Sequence, residues 1–158
     1  MKLTGTNSYS GSTIISNGVL DIVGAGASIA DSTNIVVVTN AQLVIESTTN
    51  VLNDSASLNL KTGAGSMYMT NGVVESVGSL YFDGVAQAAG LWGAVGNTEA
   101  DRTDARFAGE GLLLVGSASG NGSWSNTLSG AWSVAGNWTN SIIAMGVLET
   151  LYKKDMST

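Results

Sequence analysis

The chain has 158 residues, of which 44% are hydrophobic and 11% charged, and its formal net charge is −6. It contains no histidine and no cysteine, which excludes disulfides, thiolate-held zinc or iron–sulfur sites, histidine-held haem and catalytic Ser–His or Cys–His pairs. The acidic charge argues against a nucleic-acid partner, because phosphate binding needs clustered Lys and Arg side chains.

Six segments in chain order place apolar residues at every second position, the pattern of a half-buried β-strand. They are SNGVLDIVG (16–24), TNAQLVIES (39–47), DSASLNLKT (54–62), GAGSMYMTN (63–71), SVGSLYFDG (76–84) and GEGLLLVGS (109–117). Gly, Asn, Asp and Ser residues between them supply turns. The predicted inward-facing pairs are Leu20/Ile22, Leu43/Ile45, Leu58/Leu60, Met67/Met69, Leu80/Phe82 and Leu113/Val115.

Such short strands cannot bury a core alone, but successive coils stacked about 4.8 Å apart can. The low charge fits stacking, because like charges in register repel. The absence of proline fits as well, because proline would remove a hydrogen bond between coils. The sequence therefore predicts an all-β protein, a right-handed parallel β-solenoid (β-helix) of about five or six rungs over residues 1–116, with a β-sandwich as the competing fold.

Two further segments differ in composition from the first. Residues 117–140 are rich in Gly, Ser and Asn and contain Trp124, Trp132 and Trp138, whose spacing favours a hairpin. Residues 141–158 form a C-terminal tail in which Leu148 and Leu151 belong to an apolar set near helical spacing. A short helix and a terminal strand are both open for this tail.

The segment LTGTNSYSGSTIISNGVLDI (3–22) resembles the autotransporter-associated β-strand repeat, L-x-G-x-N-x-Y-x-G-x-T-x-I-x-x-G-x-L. The stretches SVGSLYFDGVAQAAGLWG and DARFAGEGLLLVG are similar to the closing part of such a unit, and GNGSWSNTLSGAWSVAGNWTN is similar to the start of the next, so the resemblance spans about residues 3–140. It implies an exported bacterial surface protein with a parallel β-helical passenger and a structural or adhesive role. The residues in the repeat positions are Leu3, Gly5, Asn7, Tyr9, Gly11, Thr13, Ile15, Gly18 and Leu20.

Aromatic residues are the first site candidates. Alternation places Phe82 in the core and Tyr81 on the opposite face, and packing is the favoured role for Tyr81 and Trp92 over stacking on a sugar ring. The three later tryptophans are expected to pack or to form a contact between subunits. Predicted interface or packing residues are Leu3, Tyr9, Tyr81, Trp92, Trp124, Trp132, Trp138, Leu148 and Leu151.

The segment NTEADRTDAR is the densest group of ionisable residues. A glycan-cleaving enzyme centred on Asp101 and Asp104 is one hypothesis for it, but a solvated loop that pairs its own charges is favoured. No calcium-loop motif is present, and Gly24 and Gly26 lack the third glycine of a nucleotide-binding loop, because Ile29 occupies its place. No catalytic residue, metal site or cofactor is predicted.

These observations predict a non-enzymatic structural protein of the extracellular space or bacterial cell surface. Its solenoid is expected to form head-to-tail homo-oligomers, because the ends of a solenoid expose unpaired strand edges and the chain enters a repeat strand at Leu3 without a polar cap. A carbohydrate-binding or adhesive module is the alternative. No membrane span is predicted, and the opening MKLTGTNSYS lacks the apolar core of a signal peptide, so a removed signal or a longer parent chain is expected.

Overall fold

A computed structural model describes residues 1–47 and 50–116 of the chain, and these residues contain fourteen β-strands and no helix. The predicted hairpin at 117–140 and the tail at 141–158 lie outside the described residues. The strands are β1 (Lys2–Leu3), β2 (Thr13–Ile15), β3 (Gly18–Ile22), β4 (Asn34–Val37), β5 (Ala41–Ile45), β6 (Ser57–Leu60), β7 (Met67–Met69), β8 (Val74–Val77), β9 (Ser79–Phe82), β10 (Val85–Ala86), β11 (Gly90–Gly93), β12 (Arg102–Thr103), β13 (Phe107–Gly109) and β14 (Leu112–Val115).

The strands form three sheets around one hydrophobic core. Sheet 1 has the order β1-β3-β5-β7-β13, sheet 2 the order β10-β9-β6-β4-β2, and sheet 3 the order β12-β11-β14-β8. All pairs in sheet 1 are parallel, as are the pairs from β2 to β9 in sheet 2. From β1 to β9, strands that follow one another in the chain enter different sheets, and hydrogen-bonded partners lie one coil apart. The fold is therefore a parallel β-solenoid, as predicted.

One coil of the solenoid takes about two dozen residues. In sheet 1, Leu20 is the partner of Leu43, and Leu43 is the partner of Met67. The solenoid has about three turns, so the prediction of five or six rungs was wrong. That prediction counted each alternating segment as a rung, whereas neighbouring segments such as β6 and β7 lie on different faces of the same coil.

The core is built from ladders of apolar side chains at equivalent positions of successive coils. All twelve residues of the six predicted inward-facing pairs are buried, so this prediction is confirmed. Each large apolar side chain contributes roughly 1.5–3 kcal/mol when fully buried. Two of the ladders are Ile35–Leu58–Leu80 in sheet 2 and Ile22–Ile45–Met69 in sheet 1.

An insertion, residues 83–106, interrupts the regular stack. Strand β9 stacks on β6, but β13, which stacks on β7, begins only at Phe107. The insertion opens with a tight turn at Asp83 and Gly84, with φ angles of 52° and 85°, the conformation that Asp-Gly favours between hairpin strands. It places β10 antiparallel to β9 and β11 antiparallel to β14. The parallel stack of sheet 2 therefore ends at Phe82.

Candidate functional site

The predicted interface residues that the structure describes do not form one site. Leu3 packs half-buried against the core, and Tyr9 is exposed, with its hydroxyl 2.7 Å from Thr13 Oγ1. Tyr81 is half-buried on the outer face of sheet 2, whereas Trp92 is buried. The remaining predicted residues, Trp124, Trp132, Trp138, Leu148 and Leu151, lie outside the described residues.

Trp92 belongs to an aromatic cluster with Phe82 and Phe107 at the base of the insertion. Its ring centroid lies 5.4 Å from that of Phe82 and 6.2 Å from that of Phe107. The indole N–H donates to the carbonyl oxygen of Ala88 at 3.0 Å, so the polar atom of the ring is satisfied inside the protein. Because only 7% of Trp92 is exposed, its face is not available to stack on a sugar ring.

An ion-pair cluster covers this aromatic cluster. Arg106 Nη2 donates to Asp83 Oδ2 at 2.8 Å, and Arg106 Nη1 donates to Asp104 Oδ1 at 3.1 Å. The guanidinium carbon lies 4.5 Å from the centroid of Phe82, within cation–π range. The hydroxyl of Thr62 and then the guanidinium of Arg106 lower the pKa of Asp83. These charges stabilise the two ends of the insertion against the third coil.

The acidic residues of the charged segment bind main-chain groups at separate places. Asp101 Oδ2 accepts from the N–H of Leu91 at 3.3 Å, and Asp104 Oδ1 accepts from the N–H of Arg106 at 2.9 Å. Arg102 Nε donates to the carbonyl of Ala89 at 3.2 Å. Each of these contacts shapes the insertion, and none of them directs Asp101 and Asp104 at a common point.

A polar groove of about 400 Å³ lies beside the insertion. It is lined by residues 94–99, by Gly109 and Glu110, and by Asn71. Glu99 and Glu110 are exposed, and no Lys or Arg lines the groove. The groove therefore repels anionic polymers and offers acceptors to hydroxyl or amino groups of a ligand.

The β2 end of sheet 2 presents an open strand edge. In the described residues β2 has one partner, β4. The carbonyl of Ile15 accepts from the N–H of Val38 at 3.0 Å, so the main-chain N–H and C=O of Ile14 face away from β4. The side chain of Ile14 is 60% exposed, and Tyr9 and Val19 nearby in the chain are also exposed.

Glu75 is a buried acid that the sequence analysis missed. It lies in β8, is 2% exposed, and accepts from the N–H of Val51 at 3.0 and 3.1 Å and from the N–H of Leu52 at 3.0 Å. Sheet 3 has no strand from the second coil at this level, so the carboxyl group replaces a neighbouring strand as hydrogen-bond acceptor. The signal was available, because Glu75 and Val77 both occupy inward positions of an alternating strand.

The part of the chain that the structure describes contains no group of three or more acidic side chains able to hold a metal ion. Within the same residues no helix is long and apolar enough to span a membrane. No protein-family model, curated protein or solved structure matches the chain.

Proposed function

We propose that this chain is a non-enzymatic structural protein of the extracellular space or the bacterial cell surface, whose solenoid associates end to end into a fibre or surface layer. The single observation that carries the proposal is the open edge of β2. A parallel solenoid adds coils by main-chain hydrogen bonds, so an uncovered terminal strand can accept a strand from another copy. The resemblance of residues 3–22 to the autotransporter-associated β-strand repeat supports the surface location.

The residues around β2 favour pairing with a second copy and do not block the exposed strand edge. Proteins usually block exposed strand edges with charged residues, proline or short irregular strands. Residues 3–20 contain no charged residue and no proline. Ile14 instead adds an exposed apolar side chain to the edge strand, so burying it against a second copy removes apolar surface from water.

The opposite end of the described solenoid differs from the β2 end. Sheet 2 ends there on β10 and sheet 3 on β12, each two residues long and exposed. Sheet 1 ends on β13, which stacks on β7 and has no outer partner among the described strands. A head-to-tail fibre would bring the β2 end of one copy against the end of the next copy that carries β10 and β13.

Sedimentation velocity and electron microscopy over a concentration series test this proposal. The wild-type protein should form concentration-dependent filaments, and Ile14→Lys should prevent them by placing a charge on the edge strand. Val85→Lys, in the edge strand at the other end of sheet 2, should weaken the same contact. Val36→Lys is the matched control, because Val36 lies on the same face as Ile14 but one coil inward, and this variant should assemble.

Each alternative outcome has a distinct meaning. A wild-type protein that stays monomeric at high concentration would refute the proposal. If Ile14→Lys abolished association while Val85→Lys had no effect, the contact would join two β2 edges in a closed pair, which contradicts a fibre. Circular dichroism of each variant establishes that the solenoid is folded.

A carbohydrate-binding or adhesive role is the second candidate, and the polar groove favours it. Glu99 and Glu110 with the amide of Asn71 offer hydrogen bonds to a neutral or amino sugar. A glycan array should show binding that is lost in Asn71→Ala and retained in Tyr81→Ala, because Tyr81 lies outside the groove. Binding that is unaffected by Asn71→Ala would refute this role for the groove.

A further inference from the structure

Apart from the N–H groups of Val51 and Leu52, the surroundings of Glu75 oppose a negative charge on its carboxyl group. Its strand β8 carries no other ionisable side chain, and β14, which pairs with β8, consists only of Leu and Val. In segment 50–56 the ionisable residue is Asp54, whose charge repels an ionised Glu75. No Lys or Arg of the described residues forms an ion pair with Glu75.

The hydrogen bonds of Glu75 are compatible with a neutral acid. Oε2 by itself can accept from both N–H groups, because it lies 3.1 Å from the nitrogen of Val51 and 3.0 Å from the nitrogen of Leu52. A proton on Oε1 therefore leaves one acceptor bond to each N–H. The pKa of Glu75 is raised to about 7, mainly by burial. The hydrogen bonds from the N–H groups of Leu52 and Val51 lower this pKa, and the charge of Asp54 raises it.

We propose that Glu75 is a proton-binding site that controls the corner formed by Val51 and Leu52. The neutral acid holds this corner of the second coil against β8. Loss of the proton leaves a carboxylate that is solvated better outside the core, so the corner opens as the pH rises. The device is independent of self-association, because both sides of the contact belong to one solenoid.

The coupling between proton binding by Glu75 and closing of the corner fixes the direction of the pH dependence. An acid whose pKa is higher in the closed state than in the open state binds its proton more tightly when the corner is closed. Closing is therefore favoured at low pH and progressively lost as the pH rises from about 4.5, the pKa of a solvated Glu, to about 7.

Amide hydrogen exchange followed by NMR on the isotopically labelled protein tests the proposal. After correction for the intrinsic exchange rate, the opening constants of the Val51 and Leu52 amides should rise roughly 100-fold between about pH 5 and about pH 8.5. In Glu75→Gln, which keeps an acceptor oxygen but does not ionise, they should stay constant. The amide of Val38, which donates to Ile15 at the β2 end, serves as the internal control.

Asp54→Asn provides a second variant at an exposed position. Removing the neighbouring charge should lower the pKa of Glu75 in the closed state. The rise in the opening constants should therefore level off at a lower pH and be smaller than in the wild type.

Three results would overturn the proposal. The first is an opening constant at Val51 and Leu52 that does not change with pH in the wild type. The second is a rise of the same size in Glu75→Gln. The third is an equal rise at Val38, which would mean that the whole solenoid responds to pH and not this corner.

Discussion

The ring of Trp92 stands edge-on to the ring of Phe82, with centroids 5.4 Å apart and planes at 83°. Phe82 ends β9, the last strand of the regular stack in sheet 2, and Trp92 lies in β11 of the insertion. The contact therefore joins the insertion to the solenoid core. Aromatic pairs in this geometry contribute about 0.5–1.5 kcal/mol beyond the burial of their surface.

Replacing Phe82 should be far more costly than replacing its neighbour Tyr81. Phe82→Ala removes a buried ring and leaves a cavity beside Trp92, so the free energy of unfolding should fall by about 3–5 kcal/mol. Tyr81→Ala, on the half-buried outer face, should cost about 1 kcal/mol. Urea unfolding of both variants measures the difference. Equal costs would contradict the inward position of Phe82.

Alanine variants of Gly72 and Gly109 should distinguish the energetic cost of backbone strain from the cost of a steric clash. Their φ angles are nearly the same, 81° and 82°. A Cβ at Gly72 would meet nothing within 4 Å, whereas one at Gly109 would overlap the carbonyl oxygen of Met69. Gly72→Ala should therefore cost about 1–2 kcal/mol from strain alone, and Gly109→Ala about 2–3 kcal/mol more because β7 and β13 must separate. Denaturant unfolding gives both values, and similar losses would argue against the close approach of these strands.

Global stability should also report the ionisation of Glu75. Its raised pKa contributes stability that is fully present below about pH 4.5 and is lost by about pH 7, which amounts to about 3 kcal/mol. The difference in unfolding free energy between the wild type and Glu75→Gln should therefore shift in favour of Glu75→Gln as the pH rises through this range. A difference that does not vary with pH would show that Glu75 titrates normally.

Asp83 should show the opposite pH dependence. Its pKa is lowered by the hydroxyl of Thr62 and by Arg106, so its contribution is present above the ordinary pKa of an Asp and is lost as the pH falls through the lower folded value. Asp83→Asn should be less stable than the wild type at neutral pH, and the difference should shrink in acid and in high salt. A difference that is unchanged by both conditions would exclude an electrostatic role for the pair with Arg106.

Several local features could be predicted from the sequence because they depend on neighbours in the chain. The alternation in QLVI and SLNL predicts buried Leu43 and Leu58 without knowledge of their partners. The Asp83–Gly84 turn also carries a hairpin signal, although the sequence analysis did not use it. The half-buried Tyr81 beside the buried Phe82 follows from the same alternation.

The number of coils and the candidate sites could not be predicted in the same way. Whether β6 and β7 are two rungs or two faces of one rung depends on the bend between them, and its residues permit both. The acceptor role of Glu75 for Val51 and Leu52 spans more than twenty residues of sequence, and no local pattern encodes such a pairing. The same holds for Arg106 and Asp83.

By itself, the sequence determined a sparsely charged, proline-free series of short alternating strands that can bury a core only by stacking. Only the tertiary structure decided that the strands form three sheets and that antiparallel strands of the insertion cover the ends of two of them. It also decided that the carboxyl group of Glu75, and not a neighbouring strand, accepts the hydrogen bond from the N–H of Val51. The physical reason is that side-chain alternation is a property of adjacent residues. Strand partnership depends instead on where each bend directs the chain one coil later.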